Sequence, residues 1–144
     1  MKHMLIMRAN AAAVEAYGEM NMEDVINAMG AYNESMITAG VLVGGDGLAP
    51  EPGYVVDFSG ETPVVSDGPY GEVHELFNGF WIVQTATVEE ALEWAKRAPL
   101  TPGNVLEVRR VTDESDFADF ADNEYIQKEA EWREAEHAAR PEAG

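Results

Sequence analysis

Residues 79–99 constrain the fold more than any other stretch of this chain. Gly79-Phe80-Trp81-Ile82-Val83-Gln84-Thr85 is aromatic and β-branched, the composition of a central strand. Thr87 follows as a helix N-cap, with Glu89 and Glu90 in the first turn, where carboxylates complement the helix dipole. Ala91, Leu92, Trp94 and Ala95 supply an apolar face, and Pro99 stops the helix. A second strand, Asn104–Val111, comes next; its Val105, Glu107, Arg109 and Val111 alternate with Leu106, Val108 and Arg110. A strand, a capped helix and another strand in this order form one half of an α+β sandwich.

The front of the chain supplies the other half. His3–Arg8 is an apolar run of strand length. Ala9–Met20 is alanine-rich and compatible with either a helix or a loop. From Asn21 onward, Met22, Val25, Ile26, Met29, Met36 and Ile37 fall at helical spacing, and Gly40 is placed to end the segment, so a helix is expected over 21–39. Its methionines are pliable core packing rather than a cofactor site. Val41–Val43 is expected to be a buried strand ending in the loop Gly44-Gly45-Asp46-Gly47-Leu48. That glycine spacing matches neither the P-loop nor the dinucleotide fingerprint, so the glycines are expected to serve a turn of positive φ. Tyr54–Phe58, Ser59-Gly60-Glu61 and Thr62–Val65 form a strand, a turn and a strand.

The full order is the split βαβ pattern of a ferredoxin-like α+β domain with an antiparallel sheet. Two helices on one side of such a sheet leave its other face bare, and Trp81, Val83 and Val111 are candidates to line it. A second copy of the same sheet is the simplest cover. The expected assembly is therefore a two-fold homodimer with a closed, barrel-like interior.

Between the strand ending at Val65 and the one starting at Gly79 lies Ser66-Asp67-Gly68-Pro69-Tyr70-Gly71-Glu72-Val73-His74-Glu75. Asp-Gly-Pro interrupts any regular strand, and a hairpin turn alone would not need the polar set that follows. Asp67 to Glu75 resembles the DGPF signature, Asp-Gly-Pro-Phe-x-Glu-Thr-Lys-Glu, of the YCII-related or DGPF-domain proteins. Met1–Ile6 resembles that family's first strand, Ala39–Leu48 its second strand and loop, and Gly79–Val83 with Glu90–Ala95 its last strand–helix unit. Asp116-Phe117 and the acidic helix beyond resemble the C-terminal extension of its longer members. The resemblance implies the dimeric α+β barrel superfamily, which includes isomerases, dehydrochlorinases, and haem and cofactor-free enzymes. DGPF proteins are often encoded beside extracytoplasmic-function sigma factors, which implies a regulatory alternative. Here Tyr70, Val73 and His74 stand where the signature has Phe, Thr and Lys. The His–Asp pair of simpler YCII proteins cannot be carried over, because the corresponding region is Ala31-Tyr32-Asn33-Glu34-Ser35, without histidine.

At 144 residues, 46% apolar and 25% charged, the chain suits one globular domain. Residues 1–112 are expected to form the α+β barrel domain and 113–144 an acidic helical extension. The formal net charge is −18. Such a surface repels phosphate backbones and anionic lipid, so neither nucleic acid nor membrane is an expected partner. No cysteine is present, no signal-peptide pattern opens the chain, and no apolar run approaches the roughly 20 residues of a membrane span. A cytoplasmic protein is expected.

The polar groups nearest the expected cavity define the candidate site. His74 is the acid/base candidate, since an imidazole near its unperturbed pKa exchanges protons at working pH. Tyr70, Glu72 and Asp67 complete the catalytic candidates. Arg8, Asp46, Glu75, Trp81 and Arg109 are the ligand-binding candidates. The bland alternative is a solvated loop whose carboxylates bond the turn's amides. The three histidines, His3, His74 and His137, have no metal-ligand spacing, so no metal is expected. No nucleophile motif is present, and nothing requires haem or flavin. The expectation is cofactor-free isomerase, lyase or cyclase chemistry on a small molecule, with non-catalytic ligand binding or regulation as the alternative.

Overall fold

The computed structural model describes residues 1–49, 53–67 and 76–138. Strand β1 (Lys2–Ala9) leads into helices α1 (Ala11–Glu19) and α2 (Met22–Thr38), followed by β2 (Leu42–Gly47). Strands β3 (Tyr54–Asp57) and β4 (Val64–Asp67) come next, then β5 (Leu76–Gln84), α3 (Val88–Lys96) and β6 (Asn104–Arg110). A 3-10 segment, Glu114–Phe120, and helix α4 (Glu124–Ala138) complete the order.

Each helix begins where the sequence supplies a cap. Asn10 accepts from the Ala13 amide at 3.0 Å, which resolves Ala9–Met20 in favour of a helix. Asn21 accepts from the Glu23 and Asp24 amides at the start of α2. Gly40, at φ 70°, ends α2 in a Schellman turn: its amide donates to Ile37 and the Val41 amide to Met36. At α3 the Thr87 hydroxyl accepts from the Glu90 amide, and the Glu90 carboxylate accepts from the Ala86 amide.

The main sheet has the order β2-β5-β1-β6, every neighbouring pair antiparallel. Strands β1 and β2 therefore run parallel with β5 between them, which is the split βαβ arrangement that the element order implied. A separate two-stranded sheet pairs β3 with β4, Tyr54 opposite Asp67.

Helices α2 and α3 cover one face of the main sheet. The core there joins Leu5, Trp81 and Val83 of the sheet to Tyr32 and Met36 of α2 and to Ala91 and Trp94 of α3. The Tyr32 hydroxyl donates to the Trp94 carbonyl at 2.9 Å, binding the two helices to each other. Helix α2 buries Val25, Tyr32 and Met36, so Met22, Ile26 and Ile37, expected on its apolar face, are largely exposed. Leu92 of α3 is likewise exposed beside buried Ala91 and Trp94.

Two expectations need correction. Trp81 and Val83 face the helices, not the bare side of the sheet, since Trp81 pairs with Leu5 and all three are buried. The alternation was right and its phase was off by one residue. The glycine-rich stretch 44–47 is not a loop but the body of β2, and none of its glycines has positive φ. Close approach is what Gly45 answers: a Cβ there would stand 2.6 Å from the Phe80 carbonyl.

Candidate functional site

The sheet register settles which side chains share the face away from the helices. Asp46 pairs with Phe80, Phe80 with Ile6, and Ile6 with Glu107, so these four form one rung across all four strands. The next rung holds Gly44, Ile82, Met4 and Arg109, and on the other side Arg8 pairs with both Phe77 and Val105. Side chains on directly paired residues point to the same face. Met4, Ile6, Phe80 and Ile82 are half-buried, whereas Leu5 and Val83 on the helix side are fully buried.

Charge is concentrated at one place on this face. The Arg8 guanidinium donates to one oxygen of Glu107 at 2.9 Å, and Arg109 lies 3.7 Å from the other oxygen. Arg8 and Glu107 are about one third exposed and Arg109 is 69% exposed. The structure thus brings together Arg8 and Arg109, two ligand-binding candidates that stand 101 positions apart by their numbers. It joins them through Glu107, which the sequence reading left without a role. The signal was present: the alternation in β6 places Glu107 between Val105 and Arg109 on one face.

The other candidates are distributed. Asp46 shares the rung of Glu107 from the opposite edge, in β2, and is exposed. Asp67 ends β4 in the two-stranded sheet, exposed and opposite Tyr54. Trp81 lies on the helix side, where its Nε1 donates to Asn33 Oδ1 at 2.9 Å, so it packs the core and does not line the open face. Tyr70, Glu72, His74 and Glu75 lie outside the described residues. The strand that follows them begins at Leu76, paired with Ala9 and adjacent to the Phe77–Arg8 pair.

His3, expected with Arg8, Asp46 and Arg109 among the titratable groups nearest the cavity, lies instead on the helix side of the sheet. It is 3% exposed, pairs with Val83 on one side and Arg110 on the other, and its Nδ1 has no hydrogen-bond partner among the described residues. Burial holds its pKa below the ordinary histidine value, with the N-terminal ammonium and the Arg110 guanidinium adding to the effect. Period-two alternation with Leu5 was the available signal.

Among the described residues, no group of three or more His, Cys, Asp or Glu side chains is placed to hold a metal ion. None of the described helices is long and apolar enough to cross a membrane. Helix α4 folds back on the 3-10 segment, with Ile126, Ala130 and Arg133 near Asp113, Glu114 and Phe117. Its Tyr125 and Trp132 stay exposed.

No curated protein matches the chain. The family model of the YCII-related domain matches residues 1–115. That match takes in the whole split βαβ sheet, both covering helices and the Arg8–Glu107–Arg109 cluster, and on it the chain belongs to the YCII-related family.

Proposed function

We propose that the protein is a homodimeric enzyme that acts by cofactor-free proton transfer on a small organic molecule held between two sheets. The observation that carries this reading is the contrast between the two sheet faces. Leu5 and Val83 are sealed under α2 and α3, while Met4, Ile6, Phe80 and Ile82 remain half-buried with the Arg8–Glu107–Arg109 cluster among them. An apolar sheet face with a few convergent polar groups suits a ligand cavity once a second sheet closes over it. The tail supports the same reading, because α4 leaves Tyr125 at 69% and Trp132 at 63% exposure rather than spending them on this face.

In this reading His74 is the general acid/base, Tyr70 and Glu72 assist it, and Arg109 polarises a substrate oxygen. A proton transferred by a positioned imidazole contributes roughly 10²–10⁴-fold to rate. Isomerisation, elimination and cyclisation all fit such a set. Sedimentation velocity on the wild-type chain tests the assembly, and a monomer would remove the cavity. A substrate screen comparing wild type with His74→Ala tests the chemistry. Turnover surviving that change intact would remove His74 from the mechanism.

A second reading is a non-catalytic ligand-binding or regulatory protein, in keeping with the sigma-factor association of DGPF proteins. What favours it is the tail beyond residue 115, outside the family match, which exposes Phe120, Tyr125 and Trp132 on an acidic segment. Such a surface fits a basic protein partner. Deleting residues 116–144 would abolish partner binding on this reading and leave turnover intact on the first.

A further inference from the structure

The geometry points to the outer stripe of α4, Tyr125 and Trp132, as the docking site for an arginine-bearing amphipathic helix of a different protein. The inference rests on the second reading above, and it supplies the side chains that bind and the chemistry the partner carries.

Helix α4 divides its side chains between two faces. Ile126, Ala130 and Arg133 turn toward the 3-10 segment, near Asp113, Glu114 and Phe117. Tyr125 and Trp132 stand seven positions apart, which is two turns, and so share another face about 10 Å apart along the axis. Both rings are largely exposed. Large aromatics aligned on one helix face form an interaction surface, unlike apolar residues scattered singly.

Charge selects the partner. Residues 113–144 hold eleven acids against Lys128, Arg133 and Arg140, within a chain of net charge −18. Lys128 bonds to Glu124, and Arg133 donates to Glu129 at 2.8 Å, so these two cations of α4 are engaged by its own acids. Glu131 and Glu134 are exposed on the same helix. A second copy of the chain brings the same excess of negative charge, and nucleic acid and anionic lipid bring phosphate; all three are repelled. A basic protein surface is attracted.

The aromatic rings narrow the chemistry further. The Lys128 ammonium lies 5.2 Å from the Tyr125 ring centroid, so one ring of the stripe already receives a cation. A guanidinium stacks on an indole and also forks to a carboxylate, and α4 offers Trp132 beside Glu129 and Glu131. Two anchors two turns apart match the contacts of a partner helix laid along α4.

A synthetic helical peptide with leucine and arginine on one face is a suitable probe, with a lysine-for-arginine version as its counterpart. Trp81 and Trp94 are buried, so a blue shift of tryptophan emission on binding the full-length protein would report Trp132. The arginine peptide should produce that shift, bind more tightly than the lysine peptide, and weaken as salt rises. Trp132→Ala removes no charge and, at so exposed a position, should fold; calorimetric titration should show binding about tenfold weaker or more. Equal binding of the two peptides would overturn the arginine assignment. Binding unchanged in Trp132→Ala but reduced in a Glu131→Gln, Glu134→Gln double variant would overturn the stripe and leave the acidic tail as a binding surface. Binding that none of these changes alters would overturn both the inference and the second reading. A wild-type dimer that Trp132→Ala converts to a monomer would give the stripe to a second copy of the chain, which also overturns the inference.

Discussion

The Trp81 indole stands edge-on to the Tyr32 ring, with centroids 5.4 Å apart and planes at 87°. One ring comes from the central strand β5 and the other from α2, so this contact fixes how α2 sits on the sheet. The indole Nε1 then donates to Asn33, one residue along the same helix. An edge-to-face pair adds about 0.5–1.5 kcal/mol to the area buried. Position 81 thus orients the layer under the open face rather than touching a ligand on it.

Trp81→Ala should destabilise the protein by about 3–5 kcal/mol, as other large-to-small core changes do. Tyr32→Phe should cost only about 1 kcal/mol, because the Trp94 carbonyl keeps its second donor, the Arg97 amide. Urea denaturation of the two variants would check the ranking. Equal losses would contradict it.

Gly45→Ala should destabilise by about 1–3 kcal/mol through overpacking, since its new Cβ would meet the Phe80 carbonyl backbone rather than a movable side chain. Gly47→Ala is the control, because nothing lies within 4 Å of a Cβ at that position. Thermal melting of the pair would separate close approach from the general loss of glycine. Equal shifts would remove the steric explanation.

Acid should weaken the fold through His3. Its folded-state pKa lies below the ordinary value, so the unfolded chain takes up the proton first. The contribution of His3 is therefore complete above about pH 6.5 and is lost as pH falls below it. Stability measured by urea midpoint should decline from about pH 7 toward pH 5, and His3→Leu should flatten that decline. An unchanged slope in the variant would assign the effect to other groups.

The tail should detach at lower pH. Arg110 grips Asp116 with both terminal nitrogens, the Nη1–Oδ2 contact measuring 2.8 Å, and Asp113 caps the 3-10 segment. The Arg110 hydrogen bond, with help from the Asp113 amide, holds the Asp116 carboxyl down to about 2. The clamp is thus intact above the usual carboxylate range and is lost as pH falls from about 4 toward about 2. Amide hydrogen exchange at Ser115 and Asp116 should rise over that interval, and Asp116→Asn should show the raised exchange already at neutral pH. Slow exchange in Asp116→Asn would mean that other contacts hold the tail.

Much of the fold was legible along the chain because the signals are local. Thr87 and Gly40 mark helix ends by chemistry that operates within a turn, and both do so in the structure. Strand β5 was legible from its aromatic and β-branched composition, and β6 from the alternation of its residues. What failed was phase and reason. Trp81 has both the size for a core and the indole for a ligand site, and period-two alternation alone does not say which face is covered. The glycines of β2 were expected in a turn, whereas Gly45 answers a carbonyl on a strand 35 positions later in number.

What the sequence determined by itself was the order of elements, their caps and the acidity of the surface, since each follows from residues within a few positions of one another. Only the tertiary structure decided that Arg8 meets Glu107, that Arg109 stands 3.7 Å from the same carboxylate, and that His3 is sealed with no partner for one nitrogen among the described residues. Those facts depend on the register between β1 and β6, strands almost a hundred residues apart. A shift of one position would send every one of these side chains to the opposite face.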